Sequence, residues 1–197
     1  MLTRDQAIAR GLAAKSMLDA PQLGWLYDLA RQAPDGLAVE AGVAAGGSFV
    51  CWAAAREGRG PLAAVDTWYA DPAQGRGPDA RRAPFLANLA RFSDLRHAQM
   101  LEMPSWEAPA LLGPVVAFAF IDADHSFVAA VRDVAAWPPV VLPGGILVWH
   151  DYDVWKPTVG VKAAVDRWQR DADWEVLPFI VDGRVRPGII AFRRPAP

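Results

Sequence analysis

Several things are scarce in this sequence, and each scarcity removes an explanation. One cysteine, Cys51, occurs in 197 residues, so no intramolecular disulfide framework and no multi-cysteine metal site can form. It lies in the apolar run Phe49-Val50-Cys51-Trp52-Ala53, which suits a buried thiol. There is no long basic run and the formal net charge is −2, so a nucleic-acid partner is not expected. No apolar stretch reaches the ~18 uninterrupted residues of a membrane span. The opening residues Met1-Leu2-Thr3-Arg4-Asp5-Gln6 lack the apolar core of a secretory signal, which leaves the cytoplasm as the expected location.

What is present is core material. Hydrophobic residues make up 53% and charged residues 21%, enough for one well-packed α/β domain across 1–197. Residues 3–18 and 22–33 read as two N-terminal helices, the first capped by Thr3. From there apolar runs alternate with helical stretches. Strands are expected at Leu37–Ala41, Leu62–Asp66, Ala117–Asp122 and Ile146–His150. Helices are expected at Ser48–Arg56, Pro84–Phe92, Phe127–Trp137 and Val159–Arg170. Trp174–Val181 and Pro187–Phe192 flank Asp182-Gly183-Arg184 as a terminal β-hairpin. The implied architecture is a Rossmann-like, doubly wound sheet of about seven strands, mostly parallel, ending in an antiparallel hairpin. The stretch 69–82, with Arg76, Arg81 and Arg82 among its glycines and prolines, breaks the rhythm and reads as a lid or substrate loop.

Ligands in such sheets bind beyond the carboxyl ends of the strands. The polar residues obey that rule: Gly42–Ser48, Asp66, Asp122–His125 and His150–Asp151 each follow a strand. Gly42, Gly46 and Gly47 permit a tight turn into a helix N-terminus. Asp66, closing the second strand, stands where an acidic residue grips ribose hydroxyls. Ala44 occupies the second glycine place of the dinucleotide motif, and Glu40 adds negative charge just before the loop. Both count against a pyrophosphate and towards a ligand with a cationic centre, an amino-acid tail and a ribose diol. S-adenosylmethionine has these features.

The segment Glu40-Ala-Gly42-Val-Ala-Ala-Gly46-Gly-Ser48 resembles motif I of class I S-adenosylmethionine-dependent methyltransferases, particularly the catechol O-methyltransferase-like group. Phe120-Ile121-Asp122-Ala123-Asp124-His125-Ser126-Phe127, Asp133, Trp137, Leu142-Pro143-Gly144-Gly145 and His150-Asp151-Tyr152 are similar to the bacterial macrocin O-methyltransferase and cephalosporin-hydroxylase-like relatives. The resemblance covers about residues 37–168. It implies contacts to the cofactor from Glu40, Gly42, Val43, Gly46, Ser48, Asp66, Thr67, Gln99, Met100 and Asp122. Ser48 would meet the carboxylate, Asp66 the ribose, and Gln99 and Met100 the adenine. It further implies that His125 with Asp122 is catalytic, His125 as the general base, and that Asp122 and Asp151 hold Mg2+. Tyr152 departs from the pattern, since catechol-type enzymes carry an amide ligand there; Asp124, Asp153 or water would have to fill the gap.

Other readings compete at several positions. Asp122 could cap the next helix, His150 could be a satisfied structural group, and Asp153 a solvated loop residue. Asp133 suits a structural contact and His97 the surface. Most of the nine tryptophans suit the core, although Trp68, Trp149 and Trp155 lie near the polar segments and could stack on a ligand. The expected function is O-methylation of a small molecule, a sugar or secondary metabolite, with a homodimer as the candidate assembly. The alternatives are a non-catalytic or differently catalytic cofactor-binding relative and a nicotinamide-dependent oxidoreductase.

Overall fold

A computed structural model describes residues 2–69, 82–92, 95, 97–154 and 160–196. Thr3 and Asp19 each start a helix with the same reciprocal device. The Thr3 hydroxyl accepts from the Gln6 amide while the Gln6 side chain accepts from the Thr3 amide, and Asp19 and Gln22 repeat the exchange. Two backbone donors at each helix start are thereby satisfied. The helices are α1 (Arg4–Ala13) and α2 (Ala20–Gln32). The expected helix over 3–18 therefore stops early. Lys15 takes a left-handed backbone, φ 60°, and the Leu18 amide turns to the Ser16 hydroxyl. Residues 14–19 form a loop that crosses the start of the first strand–helix turn.

That turn joins β1 (Leu37–Ala41) to α3 (Gly47–Trp52), which tightens into a 3-10 turn at Ala53–Arg56. There follow β2 (Leu62–Asp66), α4 (Arg82–Arg91), β3 (Gln99–Glu102), α5 (Ala108–Leu112), β4 (Val116–Ile121), α6 (Phe127–Ala136), β5 (Val141–Tyr152), α7 (Val161–Gln169), β6 (Glu175–Val181) and β7 (Arg184–Arg193). The sheet has seven strands in the order β3-β2-β1-β4-β5-β7-β6. The first five are parallel, and β7 runs antiparallel between β5 and β6. The doubly wound sheet with its C-terminal hairpin is thus as expected. β3 was not anticipated: it is a four-residue edge strand whose end residues, Gln99 and Glu102, are exposed, so it carries no apolar signature. The expected lid or substrate loop at 69–82, apart from its two ends, lies outside the described residues, as do Trp155 and Val159, the first residue of the helix expected there.

Two buried layers sandwich the sheet. Ala38, Phe118, Phe120 and Val148 face α1, α2 and α3, while Val39, Ala41, Leu147 and Trp149 face α6 and α7. Alternation along each strand sends successive side chains to opposite layers. The N-terminal helices therefore pack on α3 over the sheet. Trp52, Trp68, Trp137 and Trp149 are all buried, in keeping with a core role. Among the described residues no helix is long and apolar enough to cross a membrane.

Arg56 ties the far end of this layer together. Its buried guanidinium donates to the carbonyls of Ala30, Ala33, Pro34, Gly36 and Arg59, joining the last turn of α2 and the chain into β1 to the segment that leads into β2. Losing it would strand several buried acceptors. Arg56→Leu is expected to lower unfolding stability by about 3 kcal/mol or more in urea denaturation. A loss under about 0.5 kcal/mol would mean that water replaces those donors.

Candidate active site at the carboxyl ends of β1, β2, β4 and β5

The site lies where the strand order reverses, with β1 between β2 and β4, the place at which open α/β sheets bind ligands. Gly42 leaves β1 with φ 91° and passes so close to β4 that an added Cβ would lie 2.0 Å from the Asp122 carbonyl oxygen. No larger residue fits there without moving one strand end. Gly47 is similarly forced, because a Cβ would lie 2.3 Å from the Ser16 Cα. The glycines are thus explained by backbone packing as well as by ligand approach.

Asp66 joins the two loops beside this crossing. One carboxylate oxygen accepts from the Ala44 amide and the other from the Trp68 amide, each at 2.8 Å. Ala44 and Trp68 both have left-handed backbones, with φ 48° and 43°, and Asp66 over-determines these otherwise strained turns. The Trp68 ring stacks on Phe85 and its Nε1 donates to the Ala44 carbonyl, so Trp68 packs inward.

Two adjoining cavities flank the crossing. One, about 280 Å3, is lined by the loop 42–48 and by Lys15, Ser16, Met17 and Leu18. The other, about 570 Å3, runs between Asp66, Thr67 and Tyr69 on one side and Met103–Trp106 on the other, and reaches Asp122 and His125. Asp122, Gly42, Ala44 and Met17 border both. Together they have the size of a small-molecule site. Of the expected cofactor residues, Gly42, Val43, Ser48, Asp66, Thr67 and Asp122 line them. Gly46 caps α3 with φ 83°. Gln99 and Met100 do not line them; they sit at the amino end of β3, and the residues beyond its carboxyl end, Met103–Trp106, form the wall instead. Sequence reading also missed the overhang at 15–18. The capping box Asp19-Ala-Pro-Gln22 was the available signal that α2 begins there and that a loop must precede it.

Glu40 stands behind the wall. It is fully buried, accepting from the Ser48 hydroxyl at 2.6 Å and from the Trp52 indole N–H. Burial pushes its carboxyl up to about 8, against the pull of those two donors. Its geometry braces the start of α3, and Ser48 spends its hydroxyl on it.

The polar cluster is built by β4, β5 and the turns after them. Asp122 Oδ1 lies 3.1 Å from His125 Nε2 and 2.9 Å from His150 Nδ1. Asp151 Oδ2 lies 2.9 Å from His125 Nε2 and 3.3 Å from His150 Nδ1. One ligand atom from each of the four residues falls within 4.8 Å of all the others. Asp151 takes a left-handed backbone, φ 53°. The His125 and His150 rings beside it hold its carboxyl well below the usual range. The same carboxylates raise His125 to about 9. Burial opposes charge on His150, yet the two carboxylates prevail and raise it to about 10.

The competing readings now separate. Ser126 caps α6, accepting from the Ala129 amide, so Asp122 does not. Asp124 is exposed and accepts from the Ser126 amide. Tyr152 turns to α7, donating to Asp166 and receiving from Lys162, so it does not occupy the place of the missing amide ligand. Asp153 and His97 are exposed. Asp133 is buried with Ser105 and Trp137 as a structural group.

The chain matches the methyltransferase domain family over residues 39–152, more than half its length, and belongs to that family. Among curated proteins no sequence match is found. Solved structures with the same fold include the O-methyltransferase NovP, at 18% identity and TM-score 0.67, covering 91% of this chain and 82% of that one. The O-methyltransferase TomG from Streptomyces achromogenes, involved in tomaymycin synthesis and solved with its S-adenosylmethionine, shares 17% identity at TM-score 0.64, covering 100% and 92%. The TDP-rhamnose 3'-O-methyltransferase CalS11 shares 20% at TM-score 0.60, covering 87% and 76%. The nicotinamide-dependent alternative finds no support in these matches.

Because the folded Glu40 carboxyl titrates above its ordinary value, the native state keeps a proton that the unfolded chain releases between 4.5 and about 8. The stability carried by that proton is complete below this window and is lost as pH rises through it. Wild-type protein is therefore expected to lose on the order of 2–4 kcal/mol more than Glu40→Gln across it, in chemical denaturation at several pH values. Parallel curves for the two proteins would show Glu40 ionised throughout. Gly42→Ala is expected to cost about 2 kcal/mol or more in the same assay.

Proposed function

We propose that this enzyme transfers the methyl group of S-adenosylmethionine to a hydroxyl of a small molecule, a sugar or a secondary metabolite. One observation carries the reading: a cavity walled by the glycine turn and Asp66 opens directly onto Asp122 and His125. The family match and the O-methyltransferase folds around it support the same chemistry. When bound, S-adenosylmethionine supplies an electrophilic methyl group on a positively charged sulfur. The cradle fits it in size and in chemistry. Gly42 lets the backbone close in, Asp66 and Thr67 offer acceptors and donors for a ribose, and Asp122 places negative charge beside a sulfonium.

His125 is the proposed base. It lines the cavity on the loop after β4, and its Nε2 faces the Asp122 and Asp151 carboxylates. Raised to about 9 by these carboxylates, the ring acts as base through its neutral fraction, which grows as pH rises towards that value, and the imidazolium it forms is stabilised by them. Positioning of oxygen against methyl would supply most of the remaining gain. Asp122 and Asp151 fit a divalent cation, which would lower the pKa of an acceptor hydroxyl. Two carboxylates alone suit magnesium.

S-adenosylhomocysteine is expected to bind the purified protein in calorimetry; no heat at millimolar ligand would overturn the cofactor assignment. Asp66→Ala is expected to weaken that binding about tenfold or more through the lost ribose and turn contacts. His125→Ala should lower kcat by about a hundredfold or more while leaving S-adenosylhomocysteine affinity within a few fold. Near-full turnover by that variant would remove His125 from the chemistry.

A further inference from the structure

We infer that the two carboxylates are completed by His150, making a mixed nitrogen–oxygen site that selects a first-row transition cation, such as manganese, iron, cobalt or zinc, over magnesium. The inference rests on the methyltransferase reading of the cavity, and concerns which cation the cluster takes and which histidine holds it.

His150 Nδ1 is buried and lies 2.9 Å and 3.3 Å from oxygens of Asp122 and Asp151, yet neither oxygen lies along its N–H direction, and it has no hydrogen-bond partner. Nδ1 and the two oxygens point into one shared space instead of at each other. That is the arrangement of ligands around a cation. A satisfied structural histidine would direct its N–H at one acceptor.

Position separates the two histidines. His150 ends the buried body of β5, its side chain is 19% exposed, and its register is fixed by pairing with Ile189 of β7. Its ring also meets the Phe120 edge at 6.1 Å. His125 stands on the loop after β4, its side chain is 38% exposed, and it borders the large cavity. A rigid, buried donor suits a permanent ligand, whereas the more exposed ring on the cavity wall suits exchange with the acceptor. Asp122 and Asp151 are then the two oxygen ligands, and their negative charge matches a divalent ion. Magnesium prefers an all-oxygen octahedron and takes imidazole poorly. Imidazole nitrogen with carboxylate is the donor mix of the later divalent metals.

The experiment uses the full chain, stripped by chelator and titrated with Co2+ while visible absorption is followed, then with Mg2+ as competitor. Expected are one equivalent of tightly held Co2+, a d–d band typical of nitrogen–oxygen ligation, and little displacement by millimolar Mg2+. Equal competition by Mg2+, or no cobalt binding, would overturn the inference, and neither measurement depends on a variant. His150→Ala should weaken Co2+ by about tenfold or more and alter the band, with His150→Asn, which keeps the strand's size, as the check on folding. His125→Ala should change Co2+ affinity by less than about threefold. The reverse ranking would assign the ligand to His125 and overturn the proposal. S-adenosylhomocysteine binding to the metal-free protein reports separately on the methyltransferase reading, so either claim can fail while the other stands.

Discussion

Two carboxylates, Asp122 and Asp151, face a shared space across the ends of neighbouring strands β4 and β5, and much of the local structure answers the repulsion between them. Like charges this close in a half-buried setting must be neutralised. Here two imidazoles are wedged against them, and the left-handed backbone at Asp151 aims its side chain inwards. The arrangement is held from both sides. Tyr152, anchored by Asp166 and Lys162, fixes the chain after Asp151, and Ser126 fixes the helix after His125. A fold that tolerates this concentration of charge does so because something positive belongs among the carboxylates, whether protons or a metal ion.

The second constraint is steric. β1 and β4 approach so closely at Gly42 and the Asp122 carbonyl that the cavity at the glycine turn and the charged cluster share a wall. The two are therefore coupled through one backbone contact. Asp66 holds two left-handed turns in register beside it, so the cavity edge is set by packing before any ligand arrives.

Much of this was legible in the sequence. The buried strands β1, β2 and β4 announce themselves as uninterrupted apolar runs, and the polar residues after them mark the ligand edge because parallel strands all present their carboxyl ends there. Asp122, His125 and Asp151 could be named from that rule and from resemblance. What was hidden had physical reasons. β3 is an edge strand with exposed ends, so no burial pattern betrays it, and the cavity wall shifted from Gln99 and Met100 to Met103–Trp106. The overhang at 15–18 broke a plausible helix through a positive φ at Lys15, a conformation that lysine does not advertise. His150 read equally as a satisfied structural group or as a functional one, because only three-dimensional placement shows its Nδ1 without an in-line acceptor.

The insertion of β7 between β5 and β6 has a consequence for how the enzyme comes into being. His150 and Asp151 belong to a strand whose outer neighbour, β7, is made later in the chain, after α7 and β6, with His150 opposite Ile189. On the ribosome, the cradle formed by β1 and β2 can assemble while the downstream sequence is still being made, yet β5 keeps an unpaired edge until β7 emerges. The cavity beside Asp66 is thus an early structure and the charged cluster a late one. A nascent chain would complete that cluster only once β7 pairs with β5.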